Sequence, residues 1–67
     1  MHNLRDYRGE NVTIVFVDGD TLSGFVAYYT SDLDDPDGKE NITIEKNDGN
    51  VLIDVYDDEI ADIRILS

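Results

Sequence analysis

The chain has 67 residues and no cysteine, and its 16 acidic residues against five Lys and Arg give a formal net charge of −11 at pH 7. A chain this short builds one domain, predicted over 1–67, whose folding hides only about 60% of the surface that the unfolded chain exposes. The lack of thiols excludes disulfides and thiolate metal sites and, without a visible export signal, is typical of the cytoplasm. The charge disfavours DNA and anionic membrane surfaces, because both are bound largely through Lys and Arg.

The N-terminal segment predicts a short helical turn that caps the domain. Asn3 is the expected N-cap residue, and Leu4 and Tyr7 are spaced so that both side chains face inward. The only histidine, His2, lies before this turn at the chain terminus. A metal site based on histidine is therefore not expected, because such a site needs several ligands held by ordered elements.

Five runs rich in Val and Ile follow, and they predict strands over 11–17, 21–29, 41–46, 51–56 and 60–66. Asp-Gly pairs at 18–19, 37–38 and 48–49 predict tight turns, because glycine adopts positive φ without strain. In the third run Ile42 and Ile44 alternate with Thr43 and Glu45. This period of two indicates a strand with one buried face and one solvent-exposed face.

A glycine inside the second run, Gly24, predicts the point at which a long strand bends. A mid-strand glycine weakens a strand unless it permits a bend or a close backbone contact, and small barrels need such bends. Five short strands, tight turns and one bent strand together predict an all-β fold. We expect a small, strongly bent, five-stranded antiparallel barrel of the SH3-like type.

The first two predicted strands resemble the first sequence motif of the Sm/LSm family of small barrels. The stretch Val12-Thr-Ile-Val-Phe-Val-Asp-Gly-Asp-Thr-Leu-Ser-Gly-Phe-Val-Ala-Tyr-Tyr29 has apolar residues, an Asp-Gly pair, a glycine five residues later and a final aromatic residue. The stretch 58–63 is similar to the closing strand of the second motif, so the resemblance covers nearly the whole chain. The loop at 31–34 is also similar to one in small acidic proteins of Gram-positive bacteria.

The resemblance implies rings, in which the fourth strand of one subunit pairs with the fifth strand of the next. Exposed strand edges invite such pairing. The subunit interface of this homo-oligomer would then include Leu52, Tyr56 and Leu66. An isolated barrel, with its edge guarded by Asp54, Asp62 and Arg64, is the alternative.

The resemblance also implies an RNA pocket, for which the candidate residues are Tyr29, Asn41 and Tyr56. An aromatic ring and a nearby cation suit an unpaired base beside its phosphate. This sequence departs from the family pattern, because Thr30 stands where an Asp is expected and Tyr56-Asp57 stands where Arg-Gly is expected. Positive charge would have to come from Arg5, Arg8 and Lys39.

The loop between the second and third predicted strands raises a weak calcium hypothesis. Ca²⁺ prefers several oxygen ligands, and the loop offers Asp32, Asp34, Asp35 and Asp37, followed by Glu40. The register does not match an EF-hand loop. A solvated hairpin loop explains the same residues and is the favoured interpretation.

Nothing in the sequence predicts catalysis or a cofactor. The serines at 23, 31 and 67 have no base at a recognisable spacing, and a barrel of this size leaves little room for a deep pocket. We therefore expect a non-catalytic Sm-like barrel that assembles with itself or binds a basic protein surface. An RNA-binding ring with a degenerate base pocket is the alternative hypothesis.

Overall fold

The computed structural model describes residues 3–46 and 51–66. The five strands are β1 (Asn11–Phe16), β2 (Thr21–Thr30), β3 (Asn41–Glu45), β4 (Leu52–Tyr56) and β5 (Ile60–Ile65), and two 3₁₀ helices cover Leu4–Tyr7 and Asp57–Glu59. All five predicted strands are confirmed, with each end displaced by at most one residue. The predicted turn at Asp48-Gly49, together with His2 and Ser67, lies outside the described residues.

The strands form one antiparallel sheet in the order β4-β3-β2-β1-β5. If the sheet were flat, its two edge strands would lie about 19 Å apart, which is four strand spacings. Instead, Val55 of β4 joins Ile60 and Ile63 of β5 in one buried cluster. The sheet is therefore strongly bent around a single core, as predicted, and it stays open because β4 and β5 do not pair with each other.

The core is built from the inward-facing branched residues of every strand. Nine apolar side chains of the described residues are buried: Leu4, Val12, Ile14, Val26, Ile42, Ile44, Val55, Ile60 and Ile63. Ile42 and Ile44 of β3 alternate with the partly exposed Thr43 and Glu45, so the alternation read from the sequence identifies the buried face of this strand correctly. In β5 the buried Ile60 and Ile63 are three positions apart, because the pairing of β1 with β5 shifts register between them.

Gly24 lies in close contact with β3. A Cβ atom built on this buried glycine would lie 2.5 Å from Cγ2 of Ile44 and 2.7 Å from the carbonyl oxygen of Glu45. The pairing register of β2 and β3 then shifts between Val26 and Tyr28. The absence of a side chain at Gly24 therefore lets β3 fold closely over β2, and a bulge follows within the same strand.

The N-terminal turn closes one end of the core. Leu4 is fully buried and Tyr7 packs partly against the same cluster, as predicted. Asn3 is the N-cap residue, as predicted, and its carbonyl accepts the Asp6 N–H at 3.1 Å, but its side chain makes no capping hydrogen bond to the helix backbone. Its Nδ2 donates instead to Oδ2 of Asp6 at 2.8 Å. Neither described helix is long and apolar enough to cross a membrane.

Candidate functional site

The β2–β3 loop and the second 3₁₀ helix meet at one end of the sheet and form what we call the acidic rim, residues 31–40 and 57–59. The backbone N–H of Asp57 donates to the carbonyl of Glu40 at 3.0 Å, and Nζ of Lys39 lies 3.3 Å from Oδ2 of Asp58. The rim carries eight acidic residues and a single lysine. Its electrostatic potential is therefore negative and repels anions.

Asp35 organises the loop of the rim. Its Oδ2 accepts the backbone N–H groups of Asp37 at 3.0 Å and of Lys39 at 3.1 Å, while Oδ1 accepts Nδ2 of Asn41 at 3.4 Å. The Gly38 N–H donates to the Asp35 carbonyl with Gly38 at a φ of 70°, which explains the Asp-Gly pair at the turn. The sequence favoured a solvated hairpin loop over a metal site here but did not assign this role to Asp35, although a side chain that accepts N–H groups two residues later is an ordinary property of Asp in turns.

The calcium hypothesis gains no geometric support. Within residues 3–46 and 51–66, no three acidic or histidine side chains are arranged to hold a metal ion. Both carboxylate oxygens of Asp35 already accept hydrogen bonds from the loop. Asp32, Asp34 and Asp37 are exposed, and the calcium site stays an untested prediction.

The three candidate RNA residues do not converge on one face. Asn41 and Tyr56 are directly opposed across β3 and β4 and therefore share a face. Tyr29 is opposed to Ile42, the neighbour of Asn41, so it lies on the other side of the sheet, against the core. The alternation of side chains along a strand was the sequence signal that could have separated them.

Asn41 is buried, and its side-chain amide bonds to the β2–β3 loop. Its Nδ2 donates to the carbonyl oxygen of Lys39 at 3.0 Å and to Asp35. The amide thus closes the β2–β3 loop onto the first residue of β3. This arrangement favours the structural interpretation of Asn41 over base recognition.

Tyr29 and Tyr56 both sit beside carboxylates. The Tyr29 hydroxyl donates to Oε2 of Glu40 at 2.6 Å, and this hydrogen bond is the main reason that the pKa of its phenol is raised. The Asp35 carboxylate, with smaller effects from burial and other acids, raises the pKa of Tyr56. Stacking of a nucleotide on Tyr56 would bring a phosphate close to these acids, which is unfavourable.

The free edge of β4 presents unpaired backbone groups beside an apolar side chain. The Lys46 N–H donates to the carbonyl of Val51 at 3.1 Å, so the backbone N–H and C=O groups of Val51 point toward β3. Because backbone groups alternate along an antiparallel strand, those of Leu52 and Asp54 point away from the sheet. The Leu52 side chain is 58% exposed, and Tyr56 at the end of the strand is half-buried.

The free edge of β5 has the same character. The Leu66 N–H donates to the carbonyl of Asn11 at 2.8 Å, and the alternation then directs the backbone groups of Ile63 and Ile65 outward. Leu66 is 55% exposed and Ile65 is 45% exposed. Sequence reasoning named Leu66 but missed Ile65, because a residue at a corner of the sheet is left uncovered even when it lies on the core side.

Comparison of the chain with protein-family models, with curated proteins and with solved structures finds no match. The likeness to the Sm/LSm family therefore rests on the motif residues alone, and it stays a prediction.

Proposed function

We propose that this chain is a non-catalytic Sm-like barrel that acts as a self-assembly module in the cytoplasm, with the β4 edge of one copy pairing with the β5 edge of the next. The observation that carries the proposal is the open sheet, in which, over residues 3–46 and 51–66, the edge strands β4 and β5 each pair with one neighbour only. Unpaired N–H and C=O groups on an edge are a template for another strand.

Apolar side chains at both edges add to the attraction. Leu52 lies on one edge, and Ile65 and Leu66 lie on the other, all about half exposed. A joint of unlike edges is heterologous, so repetition gives a closed ring if the rotation closes and an open filament if it does not. Burial of a half-exposed leucine at such a joint contributes about 1 kcal/mol.

The proposal that the chain is not an enzyme is supported by its serine contacts. The Ser23 hydroxyl shares a 2.9 Å hydrogen bond with the Thr13 hydroxyl, and the Ser31 hydroxyl donates to Asp34 at 3.3 Å. Neither contact supplies the base that activates a serine nucleophile, since Thr13 is neutral and residues 3–46 and 51–66 contain no histidine that could act as that base.

The experiment is the solution mass of the purified chain by light scattering at several protein concentrations. We expect a multiple of the chain mass, and Leu52→Ser should weaken association by about fivefold. Leu33→Ser is the matched control, because Leu33 is 91% exposed and lies in the β2–β3 loop. The mass of a single folded chain under every condition, including high salt, would overturn the proposal.

A further inference from the structure

The two edges that would join carry a concentration of negative charge. The edge strands themselves hold Asp54, Asp62 and the base Arg64, and the 3₁₀ helix between them adds Asp57, Asp58 and Glu59, of which Asp58 pairs with Lys39. Nε of Arg64 donates to Oδ2 of Asp62 at 2.8 Å, so this base already neutralises an acid of its own strand. Because each copy carries a net charge of −11, contact between a β4 edge and a β5 edge still brings like-charged chains together, with the Asp54 carboxylate at the joint.

Asp54 has the most direct position in this surface. It lies in the middle of β4, is exposed, and its Oδ1 accepts the Thr43 hydroxyl at 2.8 Å. Because Thr43 and Asp54 are opposed across β3 and β4, the carboxylate lies on the outer face of the edge strand. A strand added to β4 would pass beside this carboxylate. Inserting charge into an edge strand is a known means of preventing edge-to-edge pairing.

Attraction and repulsion at these edges respond differently to salt. Backbone pairing and burial of Leu52 are short-ranged, and salt leaves them unchanged or strengthens them. Repulsion between copies of net charge −11 extends over the Debye length, which is about 30 Å in 0.01 M salt, 10 Å in 0.1 M and 3 Å in 1 M. Salt therefore removes the repulsion while it leaves the attraction in place.

We propose that edge carboxylates, with Asp54 at their centre, make self-assembly of this chain dependent on ionic strength. The chain is dispersed at low salt and assembled at high salt. This inference rests on the proposed self-assembly through the β4 and β5 edges. With the full charge of both copies involved, we expect the dissociation constant to fall by about a hundredfold between about 0.1 M and 1 M NaCl.

The test is light scattering of the full chain in NaCl from about 0.01 M to 1 M, with far-UV circular dichroism to establish the folded range. The key variant is Asp54→Asn, which keeps an oxygen acceptor for Thr43 while removing the charge. The control is Asp6→Asn, which makes the same charge change in the first 3₁₀ helix, packed against the central strand β2. We expect Asp54→Asn to assemble at lower salt than the parent chain, with about fivefold tighter association at about 0.1 M salt, and Asp6→Asn to stay close to the parent.

The outcomes separate this inference from the function on which it rests. A multimer of constant mass at all salt concentrations, or one that dissociates as salt rises, overturns the salt dependence and leaves self-assembly standing. A single chain throughout the folded range overturns self-assembly itself. Equal shifts for Asp54→Asn and Asp6→Asn overturn the role of the edge and assign the effect to total charge.

Discussion

Replacing Gly24 with alanine tests the close contact on which the bent sheet depends. The added Cβ would lie 2.5 Å from Cγ2 of Ile44 and 2.7 Å from the carbonyl oxygen of Glu45, both far inside the usual contact distance of about 3.5 Å or more. The side chain of Ile44 is fully buried and the Glu45 oxygen belongs to the backbone, so neither atom is free to rotate away.

The expected cost is a large fraction of the stability of so small a domain. Overpacking costs about 3 kcal/mol at the upper end of its usual range. Alanine also lowers the conformational entropy of the unfolded chain, which offsets about 0.5–1 kcal/mol of that cost. The net loss of about 2 kcal/mol compares with a total of roughly 3–10 kcal/mol for a chain of this length. The melting temperature should fall by about 8–16 °C.

The assay is urea unfolding followed by tyrosine fluorescence and circular dichroism. Urea is preferable to guanidinium chloride, because the salt would screen the charge of −11 and change stability by itself. Ser23→Ala, at the neighbouring outward position of β2, removes only the exposed hydrogen bond to the Thr13 hydroxyl and should cost about 1 kcal/mol or less. A Gly24→Ala variant as stable as the parent would refute the close approach of β3 to β2.

Three further predictions concern the acidic rim and the tyrosines. Asp35→Ala should lower stability by about 1–2 kcal/mol in urea unfolding, because the Asp37 and Lys39 N–H groups lose their acceptor; an unchanged midpoint would contradict the organising role of Asp35. The pKa of Tyr29 is raised, so the folded state holds the phenol proton more tightly than the unfolded state does. The stability that this proton contributes is therefore complete below the ordinary phenol pKa of 10.0, and it is lost as pH rises through the raised pKa of the folded state. Tyr29→Phe should reduce this alkaline loss in unfolding experiments between neutral and alkaline pH, and an unchanged pH dependence would count against the Glu40 hydrogen bond. Filter binding with U-rich and A-rich RNA at low salt, with and without Mg²⁺, should retain no RNA on the acidic chain; retention that Tyr56→Ala abolishes would restore the RNA-binding alternative.

The fold could be predicted well because its signals are local. Alternation of Ile42, Thr43 and Ile44 marks the buried face of β3, and the Asp-Gly pairs at 18–19 and 37–38 lie in the connections between β1 and β2 and between β2 and β3. Gly24 stood out as an unusual residue inside a strand, and the structure explains it by a backbone contact with β3.

The candidate site was predicted less well because it depends on contacts between distant residues. Tyr29, Asn41 and Tyr56 matched a motif, yet strand register places Tyr29 on the opposite face from the other two. The burial of Asn41 follows from the folding of the acidic loop over β3, and Asp35 takes part in it through hydrogen bonds that no local pattern specified.

The sequence by itself determined five strands, the turns at 18–19 and 37–38, the buried face of β3 and a strongly negative charge, because these follow from side-chain period, turn chemistry and composition. Only the tertiary structure decided that β4 and β5 form the edges of an open sheet, and that Leu52, Ile65 and Leu66 lie uncovered there. Strand order and exposure arise from pairing between segments far apart in the chain, so the sequence of any one segment does not specify them.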